Sequence, residues 1–211
     1  MLDFLEEREI VAVYMNRLYE RKLTTLSGGN ISSRENNHVF ITPSGKDKAN
    51  LQAKEIAILD LQGNNLTPAI KVTTEAEMHL GIYRTKNTKA IVHAHPLYAT
   101  AFTATSKKIN TRLIAESWAI LKEPAYAPYE LMGSLNLATR VAEAAKQSEV
   151  ILMENHGVIT MAESVHAALD MVEVLEFTAR MNIICSKLGD VSMLDDDKVG
   201  EITKLMNQRN T

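Results

Sequence analysis

Apolar residues recur along the chain with two alternating periods, which predicts a domain in which helices and strands interleave. Apolar positions three or four residues apart indicate helices at about 4–22, 75–85, 97–105, 135–147 and 162–188. Short apolar or β-branched runs indicate strands at about 39–42, 56–61, 70–72, 89–93, 112–115, 150–153 and 158–160. Several of these strands are close enough in sequence to form hairpins, so a mixed sheet is favoured over an all-parallel one.

The first and the longest helical segments carry apolar stripes that are expected to face the core. In the first helix the predicted stripe consists of Ile10, Val11, Tyr14 and Leu18. In the helix at 162–188 it consists of Val165, Leu169, Val172, Leu175 and Ala179. No repeat or domain boundary interrupts the chain, so residues 1–211 are predicted to form one domain. Its tail, from about residue 189, is predicted to be solvated and to end in a short helix.

Composition narrows the class of protein without identifying a function. The 211 residues are 45% hydrophobic and 23% charged, with a formal net charge of −3. These values are typical of a globular domain and argue against binding to nucleic acid or to an anionic membrane. No apolar run is long enough to span a membrane, and the start of the chain lacks a signal-peptide pattern. Cys185 is the only cysteine, so no intramolecular disulfide can form and a cytoplasmic protein is expected.

Three histidines near strand ends give the strongest indication of chemistry. His93 and His95 lie two positions apart in an extended segment, so their side chains project from the same face. His156 follows another apolar run, and the glycine after it permits a sharp turn that aims the imidazole into a cleft. A His-x-His pair alone also occurs in structural settings. Three imidazoles that leave one coordination position open are typical of catalytic zinc, so a metalloenzyme is predicted.

A carboxylate and a fourth histidine lie at the start of the helix predicted at 75–85. Glu75 is either a first-turn acid that is stabilised by the helix dipole, or a fourth metal ligand or general base. His79 lies one turn later on the same helical face, so it is an alternative ligand. Thr73 or Thr74 is the predicted N-cap of this helix.

Three loops rich in hydroxyl groups and glycine are expected to form one anion site if the fold brings them together. They are Ser27-Gly28-Gly29-Asn30, Thr42-Pro43-Ser44-Gly45 and Thr73-Thr74. Glycine permits backbone conformations that point successive N–H groups at a phosphate. The helix N-terminus after Thr74 adds a positive dipole at the same place.

The chain resembles the class II aldolase/adducin family in six ordered segments that span about residues 5–188. These are Ser-Gly-Gly-Asn-Ile-Ser at 27–32, Ile-Thr-Pro-Ser-Gly at 41–45, Thr-Thr-Glu at 73–75, Val-His-Ala-His at 92–95, Ala-Pro-Tyr at 127–129 and Asn-His-Gly at 155–157. The resemblance implies a three-layer α/β/α sandwich around a central mixed, largely antiparallel sheet. It also implies a homotetramer with sites between neighbouring subunits.

The resemblance implies roles for individual residues as well. His93, His95 and His156 would bind one Zn²⁺ per subunit, although Co²⁺ or Mn²⁺ would also suit three histidines. Glu75 would ligate the resting metal and then serve as the catalytic acid/base. The phosphate of a small phosphorylated sugar would be bound by residues of the three loops, namely Gly29, Asn30, Ser44, Gly45, Thr73 and Thr74.

The implied activity is the reversible cleavage of a ketose 1-phosphate, such as L-fuculose 1-phosphate, into dihydroxyacetone phosphate and a short aldehyde through a metal-stabilised enediolate. Glutamate at position 75 favours this reaction, because the family's pentulose-phosphate 4-epimerases carry aspartate there. Two tyrosines that the fuculose-phosphate branch uses at the aldehyde end are absent here. The last tyrosine is Tyr129, and residues 113–116 read Leu-Ile-Ala-Glu. Glu116 is then either a substitute proton donor in that region, since related dehydratases use an extra glutamate, or a buried, hydrogen-bonded structural acid.

Three other functions remain open from the sequence. A dehydratase of the methylthioribulose-1-phosphate type and a pentulose-phosphate 4-epimerase would use the same metal site and differ in product. An adducin-like binding module would have no enzymatic activity. Such modules lose the metal histidines, whereas all three are present in this chain.

Overall fold

A computed structural model describes residues 4–209, which fold around a seven-stranded sheet. The strands are β1 Asn30–Glu35, β2 His38–Ile41, β3 Ala57–Asp60, β4 Ala90–Ala94, β5 Ala125–Ala127, β6 Val150–Met153 and β7 Gly157–Ala162. The α-helices are α1 Leu5–Glu20, α2 Ala76–Thr85, α3 Leu97–Thr103, α4 Ala115–Leu121, α5 Leu135–Ala145, α6 Val165–Leu188 and α7 Asp196–Arg209. The strand order is β3-β2-β1-β4-β7-β6-β5. Neighbouring strands are antiparallel except for the β5–β6 pair, which is parallel.

Helices cover both faces of the sheet, which confirms the predicted α/β/α sandwich with a mixed, largely antiparallel sheet. Helices α1, α3 and α6 contribute to the hydrophobic cluster on one face, and α2 and α5 contribute to the cluster on the other. Strand β4 shows the alternation that separates the two clusters. Val92 packs in the first cluster and Ile91 in the second, because successive side chains of a strand point to opposite faces. By this alternation His93 lies on the side of α2 and Glu75.

The predicted apolar stripe of α6 is confirmed, whereas that of α1 is partly wrong. All five predicted stripe residues of α6 are buried, with exposures of 0–3%. In α1, Val11 and Leu18 are buried, but Ile10 is 47% exposed. Ala12 and Met15 take its place in the core, because the face of α1 that meets the sheet is rotated by about one residue from the predicted one.

Two predicted strands are absent from the structure, and strand β1 is among the observed elements that the sequence does not predict. Strand β1 is not predicted by the apolar pattern, because its sequence is mostly polar, although Ser32 within it is fully buried. The segment 70–72 is not a strand and forms only an isolated bridge between Val72 and Pro43. The segment 112–115 is not a strand either: a 3₁₀ turn, Thr111–Leu113, leads directly into α4. An apolar run this short does not distinguish a strand from a helical turn.

The C-terminal segment is less solvated than predicted. Residues 189–195 form a mostly exposed linker, but α7 is a 14-residue helix that packs on α4. The indole N–H of Trp118 donates to the hydroxyl of Thr203 at 3.1 Å, and Val199 is 9% exposed. Within residues 4–209 no helix is both long enough and apolar enough to cross a membrane.

Candidate active site

The three predicted histidines meet at one end of the sheet. His93 lies in β4, His95 directly follows this strand, and His156 lies in the turn between β6 and β7. One ring nitrogen from each histidine lies within 4.8 Å of the others. The Nε2 atoms of His93 and His95 are 3.0 Å apart. Pairing of β4 with β7 brings the two ligand-bearing segments together, as the register of Ala94 with Val158 shows.

The turn that carries His156 depends on two residues in different ways. Asn155 has a φ of 52°, in the left-handed region that asparagine tolerates better than most residues. The left-handed residue of this turn is thus Asn155 and not the predicted glycine. Gly157 is required for another reason. A Cβ on Gly157 would lie 2.6 Å from the carbonyl oxygen of Ala94 and would overlap the ring of His95.

Glu75 lies between two of the histidines. Its Oε2 is 3.2 Å from Nε2 of His93, and its Oε1 is 3.2 Å from Nε2 of His156. Glu75 is itself the N-cap residue of α2, so the prediction that Thr73 or Thr74 caps this helix is wrong. The start of α2 therefore directs the carboxylate into the histidine cluster, where only 8% of the residue is exposed.

A buried hydrogen-bond network lies behind Glu75. Nδ2 of Asn30 donates to Oε2 of Glu75 at 2.9 Å, and Oδ1 of Asn30 accepts from Nε2 of His79. The other ring nitrogen, Nδ1, is 2.7 Å from the hydroxyl of Ser32, which also contacts the hydroxyl of Tyr83 at 2.8 Å. Burial, followed by the charge of His93, lowers the pKa of His79 to about 3. Both ring nitrogens of His79 are hydrogen-bonded within this network, and His79 lies outside the cluster that His93, His95 and His156 form.

Electrostatics favour an ionised Glu75 and a neutral His95. Burial alone would raise the pKa of Glu75, but the charge of His93 and hydrogen bonds from His156, His93 and Asn30 hold that pKa well below its usual range. Burial alone would lower the pKa of His93, but the adjacent Glu75 raises it. Burial, together with the charges of His93 and His156, lowers the pKa of His95 to about 3. At neutral pH the imidazole of His95 is therefore uncharged, and one of its ring nitrogens has a lone pair available to bind a metal ion.

The donor groups of this cluster fit a divalent metal ion. Nδ1 of His93 lies 2.9 Å from the carbonyl oxygen of Val158, which can only accept, so Nδ1 carries the proton. This bond fixes the ring and aims Nε2 at the cluster, as outer hydrogen bonds do for metal-binding histidines. Oε1 of Glu75 is buried, and its contact within residues 4–209 is the one with Nε2 of His156 at 3.2 Å. A cation would satisfy this oxygen, and imidazole nitrogens with a carboxylate are ligands that Zn²⁺ and similar ions prefer.

The three predicted anion loops meet around a cavity of about 330 Å³ beside the histidines. Their lining residues are Ser27, Gly28, Gly29, Asn30, Pro43, Ser44, Gly45, Thr73 and Thr74. Gly29 and Gly45 have φ values of 64° and 69°, the left-handed conformation expected of such loops. Their backbone N–H groups donate to no group within the described chain, so they are available to a ligand. Glu75, His95 and His156 line the same cavity.

Two residues of the cavity escape prediction from sequence, and one predicted residue lies elsewhere. Lys48 and Met132 line the cavity, but a lysine in Gly-Lys-Asp-Lys and a methionine in a loop carry no signal of a site beyond their proximity to glycine. Glu116 lies in the first turn of α4, where it is exposed, and it does not line the cavity of its own chain. The structure therefore brings together the predicted metal and loop residues but not Glu116.

Both the sequence and the structure are similar to those of known proteins. A family model described as the class II aldolase and adducin N-terminal domain matches residues 8–183. An L-fuculose phosphate aldolase from Methanococcus maripaludis is 40% identical over 172 residues, which are 81% of this chain and 93% of that protein. A 5-deoxy-D-ribulose 1-phosphate aldolase from Bacillus thuringiensis serovar kurstaki is 31% identical over 205 residues, 94% of each chain. A solved structure of an L-fuculose 1-phosphate aldolase superposes with a TM-score of 0.89 at 27% identity over 96% of each chain.

Proposed function

Because the chain belongs to the class II aldolase and adducin family, we propose that it is a zinc-dependent aldolase that reversibly cleaves a ketose 1-phosphate into dihydroxyacetone phosphate and a short aldehyde. The observation that carries this proposal is that the histidine cluster and the three glycine-containing loops line one cavity. Glu75, His95 and His156 line the same cavity as the three loops. In these loops the N–H groups of Gly29 and Gly45 have no acceptor within residues 4–209. Two similar proteins are named as aldolases of sugar phosphates, which supports the same substrate class.

The cavity matches the two ends of such a substrate. Its volume of about 330 Å³ lies at the lower end of the range of pockets that hold small ligands. The phosphate is assigned to the loops, where the N–H groups of Gly29 and Gly45 and the start of α2 favour an anion. The carbonyl and hydroxyl oxygens next to the phosphate are then directed to the histidine cluster. Fixing the substrate at both ends would orient the bond that breaks.

Glu75 is the group we assign to proton transfer. Its surroundings keep it ionised, as a base must be. Asn30 holds Oε2 by a hydrogen bond, whereas Oε1 contacts Nε2 of His156, a nitrogen that a bound metal ion would engage instead. Oε1 is therefore the oxygen that would accept a substrate proton and return it. A bound divalent ion would supply Lewis-acid polarisation of the substrate carbonyl. His93, His95 and His156 would hold that ion.

We also propose that the site is completed by a neighbouring subunit in a homotetramer. Leu131, Met132 and Leu135 are 66%, 70% and 69% exposed, and Met132 forms part of the cavity rim. An apolar patch at the rim of a site is the kind of surface that a partner covers. Since Glu116 lies outside the cavity of its own chain, its proposed role at the aldehyde end requires that it reach the site of a neighbouring copy.

A product assay tests the reaction. The purified protein, loaded with Zn²⁺, is incubated with L-fuculose 1-phosphate, 5-deoxyribulose 1-phosphate and other ketose 1-phosphates, and dihydroxyacetone phosphate is measured. Release from at least one substrate is expected, and Glu75→Gln should lower kcat by about 10²–10⁴-fold. The control is Glu77→Gln, because Glu77 lies two residues after Glu75 in the chain but pairs with Arg84 at 3.1 Å instead. Dehydration or epimerisation in place of cleavage would assign the protein to another branch. No metal-dependent reaction at all would favour a binding module.

Mixing two inactive variants tests whether sites are shared between subunits. If Glu75 and Glu116 act in the same site from different chains, mixed assemblies of Glu75→Gln and Glu116→Gln will contain some sites with both glutamates intact. Random mixing in a ring of equivalent interfaces would restore about a quarter of the sites. No recovery from separately inactive variants, or full activity of Glu116→Gln alone, would contradict the assignment of Glu116.

A further inference from the structure

Lys48 is a buried cation in the wall of the cavity, and it has no part in the proposed metal binding or proton transfer. The residue is 2% exposed, yet it lines the space between the three loops. Its backbone N–H donates to the carbonyl oxygen of Leu26 at 3.2 Å, and its Nζ donates to that of Pro43 at 2.8 Å. Lys48 thus connects the loop that precedes Gly28 to the loop that contains Ser44.

No group of the described chain balances this charge. Within residues 4–209 no carboxylate forms an ion pair with Lys48, whereas Lys46, two residues away, pairs with Glu55 at 3.0 Å. A buried ammonium group without a counter-ion is costly, and Pro43 occupies only one of its three N–H donors. Burial lowers the pKa of Lys48 to about 8, so most of it remains charged at neutral pH.

The remaining donors of the loops carry no formal charge. The N–H groups of Gly29 and Gly45 and the hydroxyls of Ser44 and Thr74 are neutral dipoles, whereas a phosphate ester carries up to two negative charges near neutral pH. A lysine ammonium within the same wall would supply the charge that these dipoles lack, and charge-assisted hydrogen bonds are about twice as strong as neutral ones. The buried cation and the uncharged loops therefore complement each other.

We infer that Lys48 binds the phosphate group of the substrate and makes the site selective for phosphorylated ligands. This inference rests on the proposed function and adds a specificity-determining residue to it. Lys48 lines the cavity, and Pro43 is the one hydrogen-bond acceptor of its Nζ within residues 4–209, so two N–H donors remain for a ligand. When a phosphate is bound, they are satisfied by its oxygens, and the ammonium gains its counter-ion.

Phosphate binding by three forms of the intact protein tests the inference. Inorganic phosphate is the probe, and isothermal titration calorimetry measures its affinity for the wild type, Lys48→Met and Lys46→Met. Methionine keeps most of the length of the buried side chain and removes the charge. Lys46→Met is the matched control, since it removes an equal charge from the same loop at an exposed position. We expect Lys48→Met to weaken phosphate binding about ten- to a hundredfold and Lys46→Met to leave it within about twofold.

Kinetics with a ketose 1-phosphate give a second readout. Loss of a contact made equally in the ground state and in the transition state raises KM and leaves kcat nearly unchanged, so Lys48→Met should show mainly a higher KM. A general disturbance of the site would lower kcat instead. If Lys48→Met does not fold, as judged by circular dichroism, Lys48→Gln serves in its place because it retains a donor for Pro43.

The possible results separate this inference from the proposed reaction. Unchanged phosphate affinity in Lys48→Met, or in Lys48→Gln, overturns the role of Lys48 while cleavage of the sugar phosphate can still hold. A wild type that binds no phosphate overturns it as well. A wild type that binds phosphate but cleaves no ketose 1-phosphate would refute the aldolase proposal. In that case a selective loss of binding in Lys48→Met would still support an anion-binding lysine.

Discussion

Replacing Lys48 with methionine is expected to stabilise the ligand-free protein near neutral pH and to lose this benefit at high pH. Burial holds the pKa of Lys48 at about 8 in the folded state, whereas its ordinary value is 10.5. The difference of about 2.5 in pKa (10.5 − 8) corresponds to a cost of about 3 kcal/mol in the free energy of folding. Below pH 8 both states are protonated, so the folded protein bears the whole cost of the buried charge. Between pH 8 and pH 10.5 the unfolded chain binds more protons, and the stability of the wild type rises with pH.

Urea unfolding of the wild type and Lys48→Met in phosphate-free buffer measures this effect. The difference in unfolding free energy between the two proteins should shrink by about 3 kcal/mol from pH 7 to pH 10.5, because other titrating groups are common to both and cancel. Loss of the bond from Nζ to Pro43 adds an offset of about 1 kcal/mol that does not depend on pH, since a neutral amine still donates. Lys46→Met, at an exposed position, should show no such trend. A constant difference between wild type and Lys48→Met would mean that Lys48 is not a costly buried charge, and the reasoning would be wrong.

Three further predictions concern the metal cluster, the network behind it and the assembly. Gly157→Ala should reduce bound metal to well below one ion per chain, because the new Cβ would lie 2.6 Å from the carbonyl oxygen of Ala94. Elemental analysis measures this, with Gly200→Ala as the control since its Cβ meets nothing within 4 Å, and a full ion in Gly157→Ala would contradict the geometry. His79→Leu removes the partner of the buried amide oxygen of Asn30 and one of the two partners of the Ser32 hydroxyl. It should lower the free energy of unfolding, measured in urea, by about 2–4 kcal/mol, and an unchanged midpoint would refute the role of this network. Met132→Asp should reduce the mass measured by light scattering and lower activity, whereas an unchanged oligomer would place the interface elsewhere.

The parts of the fold that could be predicted are those with a strong local pattern. The stripe of α6 is buried because five apolar residues at helical spacing leave one face that can meet the sheet. His93 and His95 could be paired in advance, since alternation in a strand fixes their common side. That His156 belongs to the same metal site could also be predicted, because it lies next to the end of another apolar strand. These inferences need only neighbouring residues.

The parts that could not be predicted depend on contacts between distant segments. Strand β1 is polar, yet Ser32 is buried because its hydroxyl group forms hydrogen bonds with His79 and Tyr83 of α2. A polar strand of this kind is indistinguishable from a loop until its partners are known. Lys48 is similar: its sequence context resembles a solvated loop, and only the arrangement of the loops around the cavity buries it. Burial of a charge is a tertiary property that no local pattern reports.

Glu75 combines a feature that the sequence predicts with one that it does not. Its place near a helix start follows from sequence, and the dipole alone could explain a carboxylate there. The structure shows that the same position directs the side chain toward His93 and His156, which a pattern cannot distinguish from an ordinary first-turn acid.

Metal titration of the metal-free protein tests the central proposal most directly. The protein is stripped with a chelator, Zn²⁺ is returned in small steps, and release of dihydroxyacetone phosphate from a ketose 1-phosphate is followed at each step. Activity is expected to be absent at the start, to rise in proportion to the metal added and to level off at about one ion per chain, as befits a single site of three histidines. Full activity in the stripped protein, or cleavage that persists when His93 and His95 are both replaced by alanine, would contradict a metal-dependent aldolase.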